Sequence, residues 1–353
     1  MDAIYSPDHL AHNPTEQVEF GHRWPMNECP QRAENIKAAL LADQAFTMHS
    51  PIEYGLDPIV AVHDAALVRY LADAWAEYIG ALATTPAPIT DAVADTYRHP
   101  AMNEGMPPFR EPQGAIGRLG YWCFDTTTPL MQGTYQAARS AVDVALTATD
   151  RVMDSTAMAA YGLCRPPGHH APVAGFGGYC YFNNAAISAQ HALNSGAARV
   201  TILDVDYHHG NGTQQIFWAR GDVQYVSLHG DPSRAYPYFC GYEDEIGEGH
   251  GRNSNLNLTL PPRCNNDEYA SRLRVGIDAI AAFAPEIVIV SLGVDTYTND
   301  PLGDLDLSTE SYRQQGLMVR ELGLPTVVLQ EGGYDVEAIG INVVTWLMAL
   351  AGV

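Results

Sequence analysis

Five short runs in the second half of the chain are apolar at nearly every position: MAAYGLC (158–164), RVTILDVD (199–206), VQYVSLH (223–229), EIVIVSLGVD (286–295) and PTVVLQEGG (325–333). A strand with one wet face alternates apolar and polar residues. A run without alternation has both faces covered, which is the condition of a parallel strand between helices. Helical stretches separate the runs: NNAAISAQHALN (183–194), NDEYASRLRVGIDAIAAFA (266–284) and TESYRQQGLMVREL (309–322). This alternation predicts an α/β chain, a three-layer αβα fold around an open parallel sheet.

Ligands of such sheets bind beyond the carboxyl ends of the strands, so the polar residues at strand exits carry the functional information. The exits read DVDYHH, SLHGDP, GVDTYTNDP and EGGYD. The first 150 residues are less regular, with a strand at 2–5, helices near 31–46, 64–80 and 131–150, and a Pro/Gly-rich segment at 84–130. A segment that long without clear elements is functional or interface-forming. No internal repeat, low-complexity tract or linker divides the chain, so one domain over 1–353 is expected.

Composition narrows the partners. The chain holds 41 Asp and Glu against 19 Lys and Arg, a formal charge of −22, and Lys37 is its single lysine. Such a field repels nucleic acid and attracts cations, although solubility alone also accounts for an acidic surface. The six cysteines include no C-x-x-C pair, which suits free buried thiols in a reducing compartment. The N-terminus lacks a basic stretch followed by an apolar core, and no apolar run is long enough to span a bilayer. A cytoplasmic protein without membrane attachment is expected.

In LDVDYHHGNGT, the side chains of Asp204, Asp206 and His208 share one face of an extended segment. Asp295, at another exit, adds a carboxylate. Asp206, His208 and Asp295 with an open fourth position make the ligand set of a catalytic zinc ion, and the same O/N set accepts Fe2+, Co2+ or Mn2+. His169 and His170, in RPPGHHA, are adjacent residues, which rarely present both imidazoles to one metal, and a site built from 206, 208 and 295 leaves no need for them; they suit acid/base work, with Asp204 and Asn211 as orienting partners. Tyr334, after a glycine pair, is placed to donate a hydrogen bond to an oxyanion. Each feature alone is also compatible with an ordinary strand end or loop; their joint occurrence at four exits points to a site.

RPPGHHA, GGYCYFNNAA, LDVDYHHGNGTQ, SLHGDP, SLGVDTYTNDP and QEGGYD follow one another across 165–335. In that order they resemble the zinc-dependent histone deacetylase superfamily, whose fold is of the arginase/deacetylase type. IYSPDH, FGHRWP, ECPQRAENI and VHDAALVRYL are similar to the branch of bacterial acetylpolyamine amidohydrolases. The resemblance implies zinc on Asp206, His208 and Asp295, His170 as general base and then acid, His169 as its electrostatic partner held by Asp204, and Tyr334 as oxyanion donor. Asn211 faces His170 where some eukaryotic members carry aspartate. A structural K+ is implied through Asp204, Ser227 and main-chain oxygens of Asp206, His208 and Leu228. The tunnel walls would be Phe20, Tyr179, Tyr236 and Leu302, with Gly178 as floor and Arg32 near an internal acetate exit.

The same resemblance makes 84–130 a loop insertion, including GRLGYWC (117–123), that joins a homodimer and narrows the mouth. Ile116 and Thr127 stand where that branch has acidic residues, leaving Asp125 or Glu111 as substitutes. The implied activity is removal of acetyl groups from small cationic amines, such as acetylputrescine or acetylcadaverine, with release of acetate. A broader deacylase acting on acetyl-lysine side chains is the alternative. A catalytically silent ligand sensor would be marked by loss of the dyad, a metal ligand or Tyr334, and all are present. A ureohydrolase would need more bridging carboxylates than these exits offer.

Overall fold

The structure, a computed structural model, describes residues 1–85 and 88–353. Its strands are β1 (Asp2–Ile4), β2 (Glu16–Glu19), β3 (His22–Pro25), β4 (Thr47–His49), β5 (Ala159–Gly162), β6 (Val200–Asp204), β7 (Val223–Gly230), β8 (Asn255–Leu260), β9 (Ile287–Leu292) and β10 (Thr326–Gln330). The α-helices are α1 (Pro30–Leu41), α2 (Asp57–Val60), α3 (Ala65–Ala81), α4 (Ala115–Trp122), α5 (Thr134–Met153), α6 (Asn184–Asn194), α7 (Asn211–Phe217), α8 (Asn266–Phe283), α9 (Thr309–Arg320) and α10 (Ile339–Ala351). Eight strands form one sheet in the order β4-β1-β5-β10-β9-β6-β7-β8, and every pairing in it is parallel. β2 and β3 form a separate antiparallel hairpin.

The unbroken apolar runs are explained by the two cores. Val200 and Ile202 of β6 face one side with α5 and α6, whereas Leu203 faces the other with α1, α8, α9 and α10. β9 and β10 alternate in the same way, so a residue on either side of these strands is buried. The three-layer α/β fold expected from the sequence is what the chain forms. Among the described residues, no helix is long and apolar enough to cross a membrane.

Several elements differ from the sequence expectation. β8 was not expected because NLNLTL alternates leucine with asparagine and threonine; as an edge strand it buries Asn255 and Asn257, whose amides both donate to Gln214 Oε1, at 2.9 and 2.8 Å. β4, only three residues long, and α10, which is apolar on nearly all sides, are further elements that the pattern of strand runs does not predict. The segment 84–130 is not devoid of structure: it contains α4, a short 3-10 turn at Pro100–Met102 and a bridge between Ala92 and Leu130. Residues 86 and 87 of that segment lie outside the described residues. All six cysteines are free, but Cys29 and Cys240 are only half-buried.

A buried ion cluster ties the N-terminal segment to the strand exits. Glu28 Oε1 accepts from Arg32 Nη1 and from Arg165 Nε, each at 2.7 Å. Arg32 also donates to the carbonyls of Glu331 and Gly333, and Arg165 to those of His9 and His12. Burial alone would raise the Glu28 pKa, but the two guanidinium groups outweigh it and bring the carboxyl from 4.5 down to about 2. A depressed carboxylate contributes stability above its unfolded pKa and loses it as pH falls toward the folded value. Glu28→Gln should therefore destabilise the protein by about 3–5 kcal/mol at neutral pH, because it leaves buried arginines without their anion. Urea unfolding checks this: the gap to the unsubstituted protein should narrow as pH falls from 4.5 toward 2.

Candidate active site

β6 and β9 are hydrogen-bonded neighbours, with Asp204 paired in register to Ser291, so the segments leaving them emerge side by side. Asp206 and His208 follow β6, and Asp295 follows β9. One donor atom from each of these three lies within 4.8 Å of the other two. His208 Nδ1 is 2.9 Å from Asp295 Oδ2 and 3.4 Å from Asp206 Oδ1. Main-chain amides fix both carboxylates: Gly332 N donates to Asp206 Oδ2 at 2.7 Å, His208 N to Asp206 Oδ1 at 2.9 Å and Tyr207 N to Asp295 Oδ1 at 2.8 Å. Gly332 must be glycine for this approach, since a Cβ there would lie 2.5 Å from Asp206 Oδ2 and 2.6 Å from Asp295 Oδ2.

The electrostatics fit a cation. Burial and the neighbouring Asp206 raise the Asp295 carboxyl to about 7. Two buried carboxylates this close cannot both ionise comfortably without added positive charge. A mixed carboxylate–imidazole set with room for a further ligand is the donor chemistry of a catalytic divalent metal.

His169 and His170 lie beside this cluster with ring centroids 4.0 Å apart. His169 Nδ1 meets Asp204 Oδ2 at 3.1 Å, and His170 Nδ1 meets Asn211 Oδ1 at 2.7 Å. Burial lowers the His169 pKa, but Asp206 and Asp204 reverse this and carry it to about 10. Burial, with the charges of His169 and His208, pushes His170 well below its ordinary value. The two imidazoles are thus pushed in opposite directions, His169 toward the charged form and His170 toward the neutral one. The Asn211 oxygen is an acceptor, so His170 carries its proton on Nδ1 and keeps the Nε2 lone pair free.

The cavity above these groups measures about 480 Å³, and His170, His208, Gly178, Tyr179, Tyr236 and Tyr334 contribute to its wall. Leu302 packs with Tyr179 and Tyr334, as expected of a wall residue. Phe20 also lines the cavity but is 80% exposed, because it caps the turn of the β2–β3 hairpin; it belongs to the mouth rather than to the buried tunnel. Arg32 is buried, with its guanidinium carbon 4.6 Å from the centre of the Tyr334 ring. Ser227 and Asp204 are register partners on β7 and β6 and are both fully buried. Of the acidic candidates, Asp125 lines the cavity, whereas Glu111 lies outside it, bound to Arg118 and Trp122. Thr127 is in the lining and Ile116 is not.

Three supporting residues escaped sequence reasoning. Tyr225 donates to Asp204 Oδ2 at 2.9 Å; its only signal was a hydroxyl inside an otherwise apolar strand. Glu331, fully buried, accepts from the amides of Gly168 and His169 at 2.6 and 3.2 Å and so anchors the histidine loop. Asp300 accepts from the amides of Tyr334 and Asp335 at 2.6 and 3.1 Å and fixes the turn that presents Tyr334. Both acids stood in quoted motifs, but nothing in the sequence separated them from their neighbours.

Comparison with known proteins identifies the family. The histone deacetylase domain family matches residues 26–350. Acetylpolyamine amidohydrolase 1 of Pseudomonas aeruginosa is 43% identical over 352 residues, covering all of this chain and 99% of that protein. The acetylpolyamine amidohydrolase of Mycoplana ramosa is 38% identical, with both chains covered in full. The crystal structure of acetylpolyamine aminohydrolase from Burkholderia pseudomallei superposes with a TM-score of 0.92 at 35% identity, over 99% of this chain and 98% of that one.

The ligand geometry yields a direct expectation. Asp295→Ala should weaken divalent-metal affinity by roughly 100-fold or more, at or beyond the upper end of effects from outer-shell changes. Equilibrium dialysis of the metal-stripped variant measures this; undiminished affinity would remove Asp295 from the ligand set.

Proposed function

Because the chain belongs to the histone deacetylase domain family, we propose that it is a metal-dependent amidohydrolase that removes acetyl groups from small N-acetylated amines. The observation that carries the reading is the convergence of Asp206, His208 and Asp295 with the split histidine pair at the base of an aromatic-walled cavity. The likeness to proteins named acetylpolyamine amidohydrolases supports the substrate class.

Zinc is the proposed metal, with Fe2+, Co2+ or Mn2+ acceptable to the same donors. When bound to Asp206, His208 and Asp295, it supplies Lewis-acid polarisation of the amide carbonyl and makes water acidic enough to attack near neutral pH. Neutral His170 takes the proton of the attacking water at Nε2 and then gives it to the departing amine. His169, hydrogen-bonded to Asp204, stabilises the negative charge that develops beside it. Burial raises the Tyr334 hydroxyl well above its ordinary value of 10, so it stays protonated and donates a hydrogen bond to the oxyanion. The reading includes a structural K+ at Asp204, Ser227 and main-chain oxygens of Asp206, His208 and Leu228. It also includes release of acetate past Arg32, a single catalytic unit over the whole chain, a homodimer joined through 84–130 and a cytoplasmic setting.

The cavity favours slender amines. Tyr179 and Tyr236 line it with aromatic rings that suit an aliphatic chain, and Glu19 and Asp125 in the wall stand against one arginine, Arg234. A substrate panel under one metal condition should give kcat/KM for acetylputrescine or acetylcadaverine at least about tenfold above that for an acetyl-lysine peptide, the equivalent of about 1.4 kcal/mol. Equal or faster turnover of the peptide would favour the broader deacylase.

A further inference from the structure

Asp125 sits just beyond α4, and its carboxylate reaches the cavity wall. Its Oδ2 accepts from the Gly178 amide at 2.6 Å and from the Tyr236 hydroxyl at 2.9 Å, while Oδ1 accepts from the Thr127 amide at 3.2 Å. The same short segment supplies a second acceptor, Thr128 Oγ1, to the Tyr179 amide at 2.9 Å. Two consecutive amides of one turn are thus held from the insertion.

That turn needs holding. Gly178 and Tyr179 both adopt left-handed backbone angles, with φ of 58° and 66°. Tyrosine enters this region only where its surroundings over-determine it. Both groups gripped by Asp125 also flank His170. A Cβ on Gly178 would lie 2.3 Å from His170 Cδ2, and the Tyr236 ring stands edge-on to the imidazole with centroids 5.0 Å apart. On the other side, Thr126 Oγ1 donates to the Val18 carbonyl at 2.6 Å, so the segment is itself braced against the hairpin. The carboxylate makes no ion pair among the described residues, and three of its about four acceptor positions are filled by these donors.

We propose that Asp125 is a positioning residue, a clamp by which the insertion fixes the two walls beside His170 and thereby sets the bore of the tunnel and the aim of the imidazole. The inference rests on the amidohydrolase reading. Asp125→Asn keeps an amide oxygen able to accept both donors, and Asp125→Ala keeps none. The test uses N-butylacetamide, a slender amide without charge, so loss of the carboxylate's charge is not what is measured. Metal content and thermal midpoint are followed alongside.

Asp125→Ala should lose about 30-fold or more in kcat/KM, mostly in kcat, as expected when a reacting group is misplaced by a fraction of an ångström. Asp125→Asn should return to within about fivefold of the unsubstituted protein, since the bonds from Gly178 and Tyr236 to one oxygen are retained and only the one from the Thr127 amide is lost. Equal loss in both variants, loss confined to KM, or no loss in Asp125→Ala would overturn the clamp. If the alanine variant does not fold, Tyr236→Phe carries the test: a several-fold fall in kcat is expected, and unchanged kcat overturns the clamp. An unsubstituted protein inert toward both N-butylacetamide and acetylputrescine would instead sink the amidohydrolase reading, and the clamp with it.

Discussion

Adjacency of strand ends in one parallel sheet is the constraint on which the site depends. The order β5-β10-β9-β6-β7 places five exits next to one another, all opening toward the same edge. Four of these exits deliver the histidine loop after β5, Glu331 and Tyr334 after β10, Asp295 after β9, and Asp206 and His208 after β6, while Ser227 lies within β7, opposite the end of β6. No pair among Asp206, Asp295 and His170 is a neighbour in sequence. Parallel pairing converts their separation into proximity, and the two buried cores make that pairing rigid.

The second constraint is electrostatic. Asp204, Asp206, Asp295 and Glu331 are all buried at the strand ends, an arrangement tolerable only with dense compensation. Amides of Gly332, His208, Tyr207, Gly168 and His169 provide part of it, and the Tyr225 hydroxyl another part. His169, hydrogen-bonded to Asp204, supplies positive charge, and its pKa rises to about 10 although burial opposes this. The residual negative potential draws in a metal cation. It also explains how two adjacent histidines differ: His169 faces a carboxylate and is held charged, whereas His170 is buried beside that charge, which together with burial outweighs its hydrogen bond to Asn211 and favours the neutral form.

Much of this was legible in the sequence because the fold and the chemistry use regular devices. Two-sided burial erases alternation, so the central strands announced themselves. Asp206 and His208 can be paired from their two-residue spacing, although β6 ends at Asp204 and both lie in the bend beyond it, where the His208 amide donates to Asp206, rather than on an extended strand. Features defined by long-range packing could not be read. Asn255 and Asn257 look like loop residues until Gln214 is seen to accept from both. Phe20 reads as tunnel wall by motif, but the hairpin turn places it at the mouth. Asp125 looked like a substitute reader of the substrate's charge; its lone pairs are instead taken by Gly178, Tyr236 and Thr127.

The central claim is that three exits build one metal site and that the neighbouring histidines and Tyr334 act on an amide brought to it. Titrating metal back into the stripped protein, while following hydrolysis of acetylputrescine, tests this most directly. The account predicts that activity rises linearly and stops at about one equivalent per chain, as for a site of three protein ligands with an open position. Activity that is unaffected by stripping, or that needs two equivalents, would contradict it.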